Sequence, residues 1–249
     1  MVSVIVCNYN YGRYLERAVE SLALQTHPAI ELVLVDDGSS DNSRSAIARV
    51  AERFRSRFHA VETILQNGNS GKLACTNAAL ERVRGEFSLV LDADDLLAPT
   101  FLEESLRALR AHRRRNPSVA FIYTNCRLID SHERVLGAGR SLPWDRSLLE
   151  RSSYIPGCAV TLSAALRAAA PFDESIRVGT KHHVYLRLCA AGWEGRHLPR
   201  QLFSYRLHAS NLSGIGTRLL PTAGRSANIN PLLGEHWPTA TARPARSDP

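Results

Sequence analysis

The 249-residue sequence has no run approaching the roughly 18 consecutive apolar residues that a membrane-crossing helix needs. Nor does a basic leader precede its first apolar stretch, which opens at Val2. The expectation is a cytoplasmic protein, neither exported nor anchored through a bilayer, that meets the inner membrane face at most peripherally. There is no CxxC pair: the five cysteines, Cys7, Cys75, Cys126, Cys158 and Cys189, are odd in number and scattered through mostly apolar segments. That pattern excludes a CxxC zinc or redox motif and fits a reducing compartment. Lysine is nearly absent too. Lys72 and Lys181 are the only two, so the formal charge of +7 comes almost entirely from arginine. A basic surface attracts phosphates, but no nucleic-acid reading module accompanies it and nucleic acid is not an expected partner.

Two phosphate-binding signatures are missing as well. No GxGxxG follows the first strand-like run, which disfavours a dinucleotide-binding domain. The "GNSGK" at 68–72 is not a phosphate-cradling loop, because Gln66 stands where a first glycine is needed and Leu73 where Ser or Thr should follow the lysine.

What the chain does contain is a rhythm. Apolar runs at 2–7, 30–36, 59–65 and 87–92 alternate with helical patterns through Leu15 to Leu24, from Ser40 to Phe54, over Ser70 to Val83 and from Pro99 onward. This is the spacing of a parallel sheet with crossover helices. After "VAFIYTNCRLID" (119–130) the rhythm fails, and a Gly-, Ser- and Pro-rich loop is expected over 137–157. A strand near 158–162, a helix from Ser163, a helix beginning near Lys181 and a strand through "RQLFSYRLH" give the second half an α+β character. Beyond Gly214 the composition predicts a poorly ordered tail.

Open parallel sheets bind ligands beyond the carboxyl ends of their strands. Three such ends are polar here: "CNYN" at 7–10, "DDGSSD" at 36–41 and "DADD" at 92–95. If the chain stays extended, Asp92 and Asp94 point the same way and Ala93 points back. Converging carboxylates suit a hard cation such as Mg²⁺ or Mn²⁺, which in turn suits a diphosphate. A charged turn ahead of a helix explains "DADD" equally well when it is taken alone.

Four collinear segments, "VSVIVCNYNYGRYLERAVESLALQTHPAIELVLVDDGSSDNS", "FSLVLDADDLLAPTFLE", "FDESIRV" and "YRLHASNLS", resemble the inverting nucleotide-sugar glycosyltransferases of family 2, over roughly residues 2–213. The resemblance implies a GT-A-like (Rossmann-like) α/β fold with a mostly parallel sheet. It divides the domain, 1–213, into a nucleotide-sugar-binding half (1–98) and an acceptor half (99–213), followed by the tail at 214–249. It further implies a nucleotide-diphosphate sugar donor and a saccharide, lipid-linked or other acceptor. Cys7, Tyr9, Asn10, Asp37, Lys72 and Asp92 are the expected donor contacts, with Asp94, Asp92, Asp95 and His208 as the expected metal set. Tyr9 offers a face to the base and Asp37 accepts from base or ribose.

The sequence departs from the family pattern in three places. Cys7-Asn8-Tyr9-Asn10 stands where Pro-Thr-Tyr-Asn is usual, and Thr76 replaces a common arginine. Thr180 and Lys181 fall where the family carries an acidic pair that supplies the general base. Two rescues are open at that third site: His182 or His183 as the base, or catalysis by other means, through an acid from nearby such as Asp173 or Glu174 or through substrate assistance. The alternative is a nucleotide-sugar-binding protein with impaired transfer. A metal-dependent nucleotidyltransferase or phosphatase is a remoter reading. Zinc at the His182-His183 pair is disfavoured, since adjacent helical residues point about 100° apart. The basic run at 107–116 fits a solvated helix end better than a membrane contact.

Overall fold

The computed structural model describes residues 1–155, 157–208 and 211, so the expected tail at 214–249 lies outside the described residues. In chain order the first half holds β1 (Val2–Asn8), α1 (Gly12–Ala23), β2 (Ile30–Asp36), α2 (Ser43–Arg53), β3 (Ala60–Leu65), α3 (Lys72–Leu80) and β4 (Phe87–Asp92). It continues through a two-residue β5 (Leu96–Leu97), α4 (Phe101–Arg113), β6 (Val119–Ile129), β7 (Val135–Gly139), α5 (Arg146–Arg151), β8 (Ala159–Leu162), α6 (Ser163–Ala169), α7 (Thr180–Ala190) and β9 (Glu194–Arg206).

All nine strands among the described residues join one sheet, ordered β3-β2-β1-β4-β8-β6-β9-β5, with β7 paired to β6. The first four are mutually parallel; β8 runs antiparallel to β4 and β6, and β9 runs parallel to β6. Strands β1 and β2 are apolar almost throughout because both of their faces are covered. Val4, Val6, Leu32, Leu34, Leu89 and Leu91 pack into a core shared with α1, α2 and α4. Their alternates Ile5, Val33 and Val35 pack into a second core with α3, α5, α6 and α7. The chain leaves β1 toward β2 on one side and returns to β4 on the other, so a crevice opens at the carboxyl ends of β1 and β4.

The second half differs from expectation in detail. Strand β9 begins at Glu194, inside a polar stretch, because it takes its register from β6 rather than from its own alternation. The predicted loop at 137–157 contains the end of β7 and the short helix α5, whose Asp145 cap accepts a hydrogen bond from the Leu148 amide at 2.9 Å. In α7 the buried residues are Tyr185, Leu188 and Cys189. Tyr185 stacks on Phe121 with ring centroids 5.2 Å apart and donates to the Gly157 carbonyl at 2.8 Å, which fixes the packed face of the helix.

One buried carboxylate gives the fold a measurable pH signature. Glu31 accepts from Ser3 Oγ, the Arg84 amide (2.8 Å) and Arg84 Nε (2.7 Å), tying β1, β2 and the turn before β4. Burial alone would raise its pKa, but these donors outweigh burial and leave it below the ordinary value. A depressed carboxyl pKa contributes stability that is present above the unfolded value and lost as pH falls through the folded one. Glu31→Gln is therefore expected to lower the unfolding free energy by about 1–3 kcal/mol near neutral pH and by less in acid. Urea titrations across pH measure this, and an equal loss at both ends of the range would contradict the assignment.

Candidate active site

The crevice is built from strand ends that sit level with one another: Cys7 pairs in register with Asp92, and Asn8 with Asp36. Asn8 Nδ2 donates to Asp36 Oδ1 at 3.0 Å and to Ser39 Oγ at 3.2 Å, fixing the β1 end against the loop after β2. Asn10 adopts a left-handed backbone (φ 57°), tolerable for asparagine because its Oδ1 accepts from the Ser40 amide at 2.8 Å. Asp37 is buried, and its two oxygens accept from the Ser70 amide at 2.7 Å and the Gly71 amide at 2.8 Å. Its carboxylate thus fastens the loop that launches α3. Gly38 has φ 71°, and a Cβ there would lie 2.6 Å from the Gly68 backbone, so the two loops touch only because Gly38 carries no side chain. Cys7 is half-buried with Sγ 3.9 Å from Thr76 Oγ1, and half-buried Tyr9 flanks it in sequence.

The acids converge through a turn rather than through strand alternation. Beyond Asp92 the chain bends, with the Asp95 amide donating to the Asp92 carbonyl at 3.1 Å, and Ala93 is fully buried. The bend recruits a third carboxylate. Oxygens of Asp92, Asp94 and Asp95 lie within 4.8 Å of one another. Asp95 is 1% exposed, and burial together with the neighbouring Asp94 lifts its carboxyl to about 7. One of its oxygens, Oδ2, is buried without a hydrogen-bond partner, as expected of an oxygen that faces a cation.

The end of β9 closes the site from above. His208 Nε2 lies 3.0 Å from Asp94 Oδ2, and its ring stacks on Tyr14 at 4.9 Å with Tyr11 edge-on at 5.2 Å. Asn211 Oδ1 accepts from the His208 amide at 2.7 Å, holding the turn. Arg206, 1% exposed, braces the whole corner. Its amide donates to Asp95 Oδ1 (3.1 Å) and its Nε to the Asp94 carbonyl (2.7 Å). One terminal nitrogen reaches the Asp130 and Ser131 carbonyls, and the other pairs with Glu133 at 3.3 Å. Arg206, Tyr14 and Asn211 did not stand out in the sequence. The one available signal was an arginine in the apolar alternation of "LFSYRLH", two positions before the histidine.

Both lysines enter the acid cluster. Lys72, the first residue of α3, pairs with Asp92 Oδ1, and Lys181, in the first turn of α7, pairs with Asp92 Oδ2 at 2.6 Å. Lys181 also lies 3.9 Å from Asp95 Oδ2. Burial and the adjacent Lys181 ammonium pull Lys72 down to about 7. Burial pulls Lys181 downward as well, but the Asp95 carboxylate reverses this and leaves Lys181 above its ordinary value.

The remaining candidates at the start of α7 separate. His183 lies against Phe172, with ring centroids 6.3 Å apart, and its Nε2 accepts from the Asp173 amide at 3.3 Å. His182 is half-buried in the same turn as Lys181. Asp173 accepts from Ser175, and Glu174 accepts from Asn77 Nδ2 at 3.0 Å, so the hydrogen bonds of both nearby acids run to residues outside the Asp92–Asp95 turn.

Three carboxylates therefore converge at the end of the fourth strand of an α/β domain, with an imidazole on the central acid and two ammonium groups on the first. The model of glycosyl transferase family 2 matches residues 3–168, more than half of the chain, and the chain belongs to that family. An uncharacterized glycosyltransferase of Nostoc sp. (alr2836) is 44% identical over 102 residues, 41% of this chain and 30% of that protein. Chondroitin synthase of Escherichia coli is 28% identical over 86% of this chain and 30% of its own length. TuaG of Bacillus subtilis, named for glycosyl transfer in teichuronic acid biosynthesis, is 29% identical over 86% of this chain and 81% of its own. The chain thus spans about a third of the first two relatives and most of the third.

Among solved structures, Staphylococcus aureus TarS 1–349 in complex with UDP-GlcNAc superposes with a TM-score of 0.67 at 19% identity, covering 84% of this chain and 59% of that one. The Pyrobaculum calidifontis mannosyltransferase PcManGT, in complex with GDP-Man and Mn²⁺, superposes with a TM-score of 0.63 at 20% identity, covering 85% and 58%. These likenesses establish the GT-A-like fold. Among the described residues, no helix is long and apolar enough to cross a membrane.

Proposed function

We propose that the chain transfers a sugar from a nucleoside-diphosphate sugar to an acceptor hydroxyl, with inversion, at the crevice beyond β1, β2 and β4. The observation that carries this reading is the meeting of Asp92, Asp94 and Asp95, with His208 on Asp94, at the sheet's switch point. Mg²⁺ or Mn²⁺ suits this set of oxygens and one imidazole, and the unpartnered Asp95 Oδ2 is the atom that fits it best. Asp94, Asp95 and His208 would hold the ion with Asp92 beside them; when bound, it supplies positive charge against the departing diphosphate. Family membership, and relatives solved with UDP-GlcNAc and GDP-Man, support a nucleotide-sugar donor.

The chain's own residues do the rest. Cys7 and Asn10 line the rim, Tyr9 offers its ring to the nucleobase, and Asp37 keeps the 68–71 loop in place while its remaining lone pairs accept from the base or ribose. Lys72 contributes a cation beside the diphosphate. The acceptor proton falls to His182, because His183 is turned to Phe172 and Asp173 and no carboxylate stands in the first turn of α7. The acceptor is a saccharide hydroxyl, free or lipid-linked, reached from the half of the chain after residue 98. The protein works in the cytoplasm, at the inner membrane face when the acceptor is lipid-linked.

Thermal shift against a panel of nucleotide sugars with and without Mn²⁺ tests the donor assignment. A cognate donor at a hundredfold above its Kd is expected to raise Tm by about 5 °C or more. No stabilisation by any member of the panel would count against the proposal. His182→Ala is expected to lower kcat by about a hundredfold with donor affinity unchanged, and His183→Ala to leave kcat within about threefold. Equal effects of the two would remove His182 from the role.

A further inference from the structure

A lysine in the first turn of a helix works against the helix dipole, and three side chains hold Lys181 there. Its ammonium bonds Asp92 Oδ2 at 2.6 Å, faces Asp95 Oδ2 at 3.9 Å and lies 5.7 Å from the centre of the Phe203 ring. Both lysines of the chain end on Asp92, one on each carboxylate oxygen. Two lysine side chains among three carboxylates offset much of the cluster's negative charge. The orphaned Asp95 Oδ2, the atom best suited to a divalent ion, is also the atom that Lys181 faces. An ammonium is a compact charge on a flexible stem and can withdraw, where an arginine fork would resist displacement. A cavity of about 40 Å³ lined by Lys72, Thr76, Cys158, Thr180, Lys181 and Tyr185 gives the stem room to do so.

We propose that Lys181 is a tethered cation that competes with the divalent ion: in the absence of metal it holds Asp92 and Asp95, and an incoming ion must displace it to use them. This rests on the metal assignment above and extends it. The chain binds divalent ions weakly by itself, and the position that carries an acid in the family carries the acids' own counter-ion here. Metal occupancy and the conformation of the first turn of α7 are thereby coupled.

The test is calorimetric titration of Mn²⁺ alone, without nucleotide, into the unmodified chain, Lys181→Met and Lys181→Arg. Lys181→Met is expected to bind Mn²⁺ at least about tenfold more tightly, since one unit of competing charge next to the ion is gone. Lys181→Arg is expected to bind it no more tightly than the unmodified chain. Lys181→Gln, polar and near in size, replaces Met if that variant does not fold, with melting curves reporting the folded state. Mn²⁺ affinity in Lys181→Met equal to or below that of the unmodified chain overturns the proposal, as does failure of either to bind the ion. Nucleotide-sugar stabilisation of the unmodified chain is read separately, so a failed donor assignment and a failed lysine assignment give different results.

Discussion

Asp94→Asn is expected to reduce sugar-nucleotide turnover by at least about a thousandfold while leaving the fold intact. Asp94 is the central carboxylate of the cluster, 6% exposed, and the one that meets His208. An amide keeps its volume and one acceptor oxygen but removes the charge that Asp94 would offer a divalent ion. Loss of a single preorganised charge-stabilising group costs about 10²–10³ in kcat, and loss of the ion's place adds to that. With that charge gone, Mn²⁺ affinity is expected to fall in parallel. Steady-state kinetics, with Mn²⁺ titration of the same variant, measure both. Turnover within about tenfold of the unmodified chain would separate Asp94 from the chemistry.

Arg206→Met is expected to cost about 3–5 kcal/mol of stability, the range for stripping one partner from a buried charged network. The methionine would fill much of the volume but leave the carbonyls of Asp94, Asp130 and Ser131 without their donor in a buried corner. The guanidinium also packs 4.8 Å from the Tyr14 ring, on which His208 stacks, so the variant disturbs the site that holds Asp94. Urea denaturation gives the loss directly. A change below about 1 kcal/mol would mean that the corner is held by β9 pairing and not by the arginine.

The sequence made the first half of the fold readable because central parallel strands need no alternation. "VSVIVC", "IELVLVD" and "FSLVLD" are apolar runs broken only by Ser3, Glu31 and Ser88 before their ends, and their polar ends announce a ligand crevice whatever the ligand. Strand β7 (Val135–Gly139) is short, with two glycines among its five residues and its first two residues exposed, and carried no such signal. Strand β9 begins in "EGRHLP", where partner register and not residue preference makes the strand.

At the site, the three acids were legible because they are consecutive or nearly so, although the bend that brings in Asp95 replaced the alternation expected from spacing. The pairs Lys181–Asp92 and Arg206–Asp94 were not. Their partners are remote in sequence, and no local pattern encodes a contact made only when α7 and β9 dock on the sheet. Lys181 could be seen as an exception at the expected acid position; that it would turn back onto Asp92 could not.

The most direct test of the account is a crystal structure of the chain with a nucleoside diphosphate and Mn²⁺. The account predicts the base beside Tyr9 and the Asp37 loop, the ion on Asp94 with the diphosphate against it, and the Lys181 ammonium withdrawn from Asp95. A nucleotide bound away from the ends of β1 and β4, or an ion held by residues other than the Asp92–Asp95 turn, would contradict it.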